Sequence, residues 1–209
     1  YIIRGADVHG ISTRVPGYCT PEADVAKWDF APRSAFIFAG GNIDIANCRV
    51  YGASGIFGAR SDIGDLYGSI SITDLTVEAP GDVQLFSLVT YGPNDFDYAH
   101  EVRIPARVNI RDVVMNGPGR LTLAARNLAS AQRFPIRVSG VEKLGVIDAA
   151  NTRIDFIDCG FDRAEFRAGA KQEFNFTDCE FSGAVTGLKK ENIGKLNGCA
   201  TLSGAKLPL

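Results

Sequence analysis

An eight-residue pattern recurs along this chain and limits what the chain can fold into. Each copy has apolar side chains at its first and third positions, any residue at the second and fourth, and Gly, Asn or Asp at the fifth. An apolar or small residue follows at the sixth position, and the eighth is usually apolar. Clear copies occupy residues 43–50, 70–77, 108–115, 154–161 and 174–181, and looser copies are centred on Gly5, Gly140 and Gly198. Repetition of this kind is typical of proteins that stack one structural unit on the next.

The fifth position of the pattern indicates a corner between two short strands. Alternating apolar residues are typical of a strand with one buried face. Gly, Asn and Asp best tolerate the left-handed backbone conformation in which a chain turns sharply. The predicted corners are Gly5, Asn47, Asp74, Asp112, Gly140, Asp158, Asp178 and Gly198.

A third apolar segment fits between successive copies of the pattern. These segments are residues 36–38, 55–57, 83–88, 121–123, 145–147 and 164–166, and Val185. Three short strands per turn, each pairing with its equivalent in the next turn, form a parallel β-helix. We therefore predict an all-β fold of about eight coils, roughly 35 to 40 Å long at ~4.8 Å per strand.

An all-β sandwich is the alternative fold, because it also has short strands and glycine-rich turns. It gives no reason for a corner residue at the same place in every copy. A leucine-rich repeat fits less well, since the period varies and the leucine pattern is missing.

The position directly after a corner is occupied by four of the five cysteines: Cys48, Cys159, Cys179 and Cys199. On consecutive coils these side chains should form an interior ladder of small apolar groups. A metal site is the alternative, but it has only His9 and His100 to add, and stacked thiols do not converge. We predict no metal and no cofactor, and a protein made without disulfides, because the cysteine number is odd and no C-x-x-C pair occurs.

The same register predicts aromatic ladders inside the coil. Phe156 should stack on Phe176, and Phe161 on Phe181, one coil apart.

Coil length divides the chain into two parts. The last three corner-to-corner intervals are 18, 20 and 20 residues, enough for three strands and three corners but not for a binding loop. We predict one β-helix domain over residues 1–209, with loop-bearing coils in 1–135 and short scaffold coils in 136–209. Because Tyr1 lies inside a strand-like run, we expect a fragment of a longer chain.

The first long loop, residues 10–34, is predicted to contain one short helix. Thr20 suits its N-cap and Pro21 its first position, and the helix should end near Trp28. Trp28 is a candidate sugar-stacking residue, with anchoring of the helix as the alternative.

The second loop, residues 59–67, and the third loop, residues 91–101, combine carboxylates with aromatic rings. The candidate catalytic residues are Asp62, Asp65, Asp95, Asp97 and Glu101. The candidate substrate-binding residues are Trp28, Tyr67, Tyr91, Tyr98, His9 and His100. Sugars offer hydroxyls to carboxylates and an apolar face to rings.

Both acidic loops lie between a third strand and the next copy of the pattern, so they should emerge on the same side of the rod. Acids on coils ~4.8 Å apart can reach the ~5 to 5.5 Å or ~6.5 to 9.5 Å carboxylate separations of glycoside hydrolysis. The alternative is that these acids cap turns.

Charge excludes some partners. Twenty-two Lys and Arg stand against 24 Asp and Glu without a long run of either sign, so we predict no nucleic acid partner. No long apolar segment is present for membrane insertion. The expected ligand is neutral or locally recognised.

The copies of the pattern around Asn47, Asp74, Asp158 and Asp178 resemble the repeats of the pectate-lyase-like right-handed parallel β-helix superfamily. Residues 8–12, Val-His-Gly-Ile-Ser, are similar to the Gly-His-Gly-Ile segment of polygalacturonases. The superfamily includes pectin-active enzymes and bacteriophage tailspike depolymerases, which bind and cleave surface polysaccharides. The resemblance to tailspikes implies a homotrimer, located in a virion tail or outside the cell, whose partner is bacterial capsule or lipopolysaccharide.

Three functions follow from this resemblance. The first is binding and cleavage of a cell-surface polysaccharide by a tailspike-like glycoside hydrolase or polysaccharide lyase. The second is a receptor-binding or structural segment of a virion tail protein, without catalysis. The third is a secreted, pectinase-like hydrolase or lyase.

Overall fold

The computed structural model describes residues 1–9, 34–38, 40–53, 55–60, 67–90, 105–127, 133–202 and 204–208. In these ranges the chain forms seventeen strands and a 3-10 turn at Lys190–Asn192. No helix in the described ranges is long and apolar enough to cross a membrane. The helix predicted in the first loop lies outside the described residues.

The strands are three to eleven residues long. They are β1 (Ile2–Arg4), β2 (Asp7–His9), β3 (Ser34–Phe38), β4 (Gly41–Tyr51), β5 (Gly55–Arg60), β6 (Gly68–Glu78), β7 (Val83–Thr90), β8 (Arg107–Asn116), β9 (Leu121–Asn127), β10 (Phe134–Val141), β11 (Leu144–Ala150), β12 (Thr152–Ile157), β13 (Gly160–Ala168), β14 (Glu173–Thr177), β15 (Glu180–Ser182), β16 (Ile193–Asn197) and β17 (Ala200–Leu202).

These strands form two sheets in which each strand pairs with its equivalent one turn later. Sheet A has the order β1-β4-β6-β8-β10-β12-β14-β16, with β2 also paired to β4, and sheet B has the order β3-β5-β7-β9-β11-β13-β15-β17. The pairings are parallel, for example Ile45 opposite Ile72 and Ile72 opposite Ile110. The predicted parallel β-helix is confirmed.

The predicted corners are confirmed as well. Each of the eight has a positive φ, between 51° at Asp74 and Asp158 and 64° at Gly5 and Gly198. Each belongs to, or directly follows, one strand of the main path of sheet A. The described strands of sheet A therefore mark eight coils, and each coil has a left-handed residue at this corner.

Further left-handed residues were not predicted: Asn151, with φ of 51°, and three residues whose types do not favour this backbone conformation. Lys143, Arg163 and Lys171 have φ of 58°, 47° and 54°. At Lys143 the side chain compensates, since its ammonium donates to the carbonyl oxygens of Gly117 at 2.9 Å and Met115 at 3.3 Å. Contacts with the preceding coil thus offset a backbone cost of roughly 1–2 kcal/mol.

The three predicted segments of each coil are distributed over two sheets. The sheet to which the segment after the corner belongs changes along the rod. In β4, β6 and β8 the chain passes through the corner and stays in sheet A. From Asp158 onward the strand after the corner, such as β13 or β15, pairs in sheet B.

The predicted interior ladders are present. Phe156 stacks on Phe176 with ring centroids 5.5 Å apart, and Phe161 stacks on Phe181 at 4.7 Å. The free cysteines among the described residues are Cys48, Cys159 and Cys179, which are buried, and Cys199, which is half-buried.

Cys179 is a weakly reactive member of the thiol ladder. The hydrogen bond that Cys179 makes with Cys159, together with burial, raises the pKa of Cys179. Because the thiolate is the reactive form, this thiol serves as a packing group.

Candidate functional site

The two predicted acidic loops leave the β-helix at one junction. The second loop of the chain follows β5 and precedes β6, and the third loop follows β7 and precedes β8. Arg60 at the end of β5 lies opposite Val89 of β7, and Ser69 at the start of β6 lies opposite Arg107 of β8. Both loops therefore begin and end on neighbouring strands, ~4.8 Å apart, on the passage from sheet B to sheet A.

Most of the candidate site residues lie outside the described residues, and their roles stay predictions: Asp62, Asp65, Asp95, Asp97, Glu101, Trp28, Tyr91, Tyr98 and His100. His9 ends β2, with its backbone opposite Tyr51. Tyr67 is 46% exposed directly before β6, and its carbonyl oxygen accepts a 2.8 Å hydrogen bond from the Gly41 amide. A tyrosine ring is thus held at the loop junction by a paired backbone.

A buried hydrogen bond fixes the strand ends beneath the third loop. Thr90 ends β7 and Asn127 ends β9; both side chains are buried, and Thr90 Oγ1 donates to Asn127 Oδ1 at 2.7 Å. Further along the rod Thr152 Oγ1 donates to Gln172 Oε1 at 2.8 Å, again in the interior. Removing one partner of a buried hydrogen bond costs ~1–3 kcal/mol, so the Thr90–Asn127 pair stabilises the strand end from which the third loop departs.

These polar pairs were missed in the sequence, where Thr90 and Asn127 look like ordinary strand ends. Their separation of 37 residues gives no local signal. A polar residue that repeats at the same point of successive coils is the signal that could have identified them.

The first loop is anchored at the other junction of the coil. It follows β2 of sheet A and precedes β3 of sheet B, whereas the acidic loops run from sheet B to sheet A. Its equivalent in the next coil is the short connection 52–54 between β4 and β5. The loop that carries Trp28 therefore ends beside the start of β5, at the opposite end of the strand from which the second acidic loop leaves.

The two sheets differ in how much outer surface they offer near the acidic loops. In β5 and β7 the outward positions Gly58 and Ser87 are buried, although they alternate with core residues. In sheet A the outward side chains Ser71, Asn109 and Arg137 are half-buried or exposed, and they form one row across β6, β8 and β10. Sheet A thus presents a solvent-exposed, polar face beside the starts of β6 and β8, where the acidic loops end.

An acidic cleft of about 410 Å³ lies in the scaffold coils, next to the corners Asp158 and Asp178. Glu142, Glu180 and Lys143 also line it. The aspartates are explained by their corner backbone, with φ of 51° and 53°. Across the described residues, no group of three or more His, Cys, Asp or Glu could hold a metal ion.

One fold hosts many functions, so the parallel β-helix does not by itself assign one to this chain. No family model, curated protein or solved structure matches the chain.

Proposed function

We propose that this protein binds a cell-surface polysaccharide, such as bacterial capsule or lipopolysaccharide, and cleaves it at a glycosidic bond. The observation that supports this proposal is the common junction of the two acidic loops on neighbouring strands. As a tailspike-like protein it would work as a homotrimer in a virion tail or outside the cell.

The chemistry requires a pair of carboxyl groups, one on each side of the glycosidic bond. One acts as general acid, and the other as base or nucleophile. The second loop supplies Asp62 and Asp65, and the third supplies Asp95, Asp97 and Glu101. Loops anchored ~4.8 Å apart on a rigid base can hold such a pair at a fixed separation.

The described surface next to these loops suits a sugar chain. The exposed ring of Tyr67 offers an apolar face, while Ser71, Asn109 and Arg137 offer hydrogen bonds to hydroxyls. Their spacing is set by the strand pairing, so the surface needs little reorganisation when a ligand binds.

The test is incubation with a panel of capsular polysaccharides and lipopolysaccharides, followed by measurement of reducing ends and of unsaturated uronate absorbance. We expect new reducing ends, with uronate absorbance added if the enzyme is a lyase. The triple variant Asp95→Asn, Asp97→Asn, Glu101→Gln should lose at least ~100-fold in rate, as general acid–base groups contribute about that much. Asp158→Asn, at an exposed corner of the scaffold coils, is the matched control and should leave the rate unchanged.

Unchanged turnover in the triple variant would remove these carboxylates from the mechanism. Absence of any product across the panel would exclude cleavage.

Binding without catalysis is the second candidate, and one observation favours it. The outward carboxylates that sheet A carries before its corners are engaged by arginines: Asp44 by Arg4 at 2.8 Å, Asp155 by Arg153 at 3.1 Å, and Glu173 by Arg133 at 2.8 Å. The part of this face before the corners can therefore bind sugars, while its carboxylates are held by arginines. Retention on a glycan array without turnover would favour this second function.

A further inference from the structure

The outer face of sheet A carries a cluster of arginines without a carboxylate among them. We call it the arginine patch; it consists of Arg107, Asn109 and Arg111 of β8 and Arg137 of β10. The three arginines are exposed and Asn109 is half-buried. Neighbouring outward positions on β6 carry hydroxyls, including that of Ser71, so this part of the face is rich in hydrogen-bond donors.

The strand register brings these side chains together. Arg137 lies directly opposite Asn109, and Arg107 and Arg111 lie two residues to either side of Asn109. With ~3.3 Å per residue and ~4.8 Å between strands, the Arg137 Cα is about 8 Å from that of each other arginine. Side chains of this length can reach one ligand from all three positions.

Among the described residues, the patch has an excess of positive charge. Arg111 pairs with Asp112 at 3.1 Å, but both side chains are more than half exposed, and such pairs are weak. Arg107 and Arg137 form no ion pair within the described part of the chain. Asp155 lies directly opposite Arg137 on β12, and its carboxylate is engaged by Arg153 at 3.1 Å.

From this arrangement we infer that the arginine patch binds anionic groups, either carboxylates or sulfate or phosphate esters, carried by the polysaccharide. The inference rests on the proposed function and names the substrate class. A guanidinium presents paired N–H donors that match the two oxygens of such groups. The neighbouring amide and hydroxyls suit sugar hydroxyls, which alternate with charges along an acidic glycan.

A nucleic acid fits this surface less well. Duplex DNA carries a charge every ~1.7 Å, and its binding relies on neutralising many phosphates. Three arginines on a chain with net charge −2 supply little of that charge.

The experiment measures binding by titration calorimetry with two matched pairs of probes. Hyaluronan is compared with its carboxyl-reduced form, and dextran sulfate with dextran, which separates carboxylate from sulfate recognition. We expect at least one anionic probe to bind and both neutral probes to bind at least tenfold more weakly. The double variant Arg107→Gln, Arg137→Gln should weaken anionic binding at least tenfold and reduce its salt dependence.

The matched control is Arg167→Gln, an exposed arginine of sheet B whose charge is already paired to Glu165. It should leave the affinity unchanged. Because the substituted side chains are exposed, we expect native circular dichroism and melting temperatures for these variants.

Several results would overturn the inference. These are failure of both anionic probes to bind, equal binding of charged and neutral probes, or an unchanged affinity in the double variant. Equal affinity for duplex DNA or polyglutamate, with the same loss in the double variant, would instead indicate a general polyanion or protein partner. Cleavage of neutral glycans together with any of these results would leave the proposed function standing and remove only the arginine patch.

Discussion

Truncation of Phe176 tests whether the stacked ladders carry the stability of this β-helix. The Phe176 ring is fully buried, with 0% exposure. It stacks on Phe156 at 5.5 Å and meets Phe161 and Phe181 edge to face at 5.7 and 5.3 Å. Phe176→Ala removes these contacts and leaves a cavity that the paired strands cannot close.

The magnitude follows from core substitutions of this type. Phe→Ala in a well-packed interior costs about 3–5 kcal/mol, and each lost aromatic pair adds ~0.5–1.5 kcal/mol of interaction beyond buried area. Phe166 and Phe174 also lie near Phe176, at 5.9 and 6.3 Å between ring centroids, so five rings surround it. We therefore expect Phe176→Ala to lower the free energy of unfolding by about 4 kcal/mol or more.

The assay is guanidinium unfolding followed by far-ultraviolet circular dichroism, with unfolding rates compared instead if refolding is incomplete. Leu202→Ala, at a position 44% exposed on the last coil, is the control and should cost less than about 1 kcal/mol. A loss at Phe176 no larger than at Leu202 would refute the view that the aromatic ladder stabilises the rod.

Three further predictions concern the corner, the loop base and the end coils. Gly140→Ala should cost about 1–2 kcal/mol, because φ is 58° there and a Cβ would lie 2.6 Å from Asp112 Oδ1. Thr90→Val should cost ~1–3 kcal/mol, since it leaves the buried Asn127 oxygen without its hydroxyl donor. The arginine that donates to Asp44 lowers the pKa of this carboxyl, so its small stabilisation is present above about pH 4 and is lost as pH falls further.

Thermal melting checks all three against matched variants. Gly81→Ala meets no atom within 4 Å and should be nearly neutral, as should Thr76→Val on the outer face. Asp44→Asn should remove part of the acid dependence of the melting temperature below pH 4, by no more than roughly 0.5 kcal/mol because the pair is exposed. A corner or loop-base variant that melts like its control would contradict the corresponding argument.

The fold could be predicted because its main determinants are local. Residues such as Asp158 and Asp178 combine tolerance of positive φ with flanking strands of period two, and both properties are visible in eight consecutive residues. The corners at Lys143 and Arg163 could not be predicted in this way. Their backbone is held by contacts with other coils, such as the bonds from Lys143 to carbonyl oxygens 26 and 28 residues away.

For the candidate site, too, some features are local in the sequence and others depend on contacts between coils. The sequence by itself determined that acidic and aromatic residues occupy two loops of consecutive coils, because the repeat marks where each coil begins. It indicated a neutral or locally recognised ligand, since basic and acidic residues are nearly balanced. Only the tertiary structure decided that Arg107, Arg111 and Arg137 share one face. Strand register, a property of pairing between coils, turns arginines scattered in a balanced sequence into one concentrated positive surface.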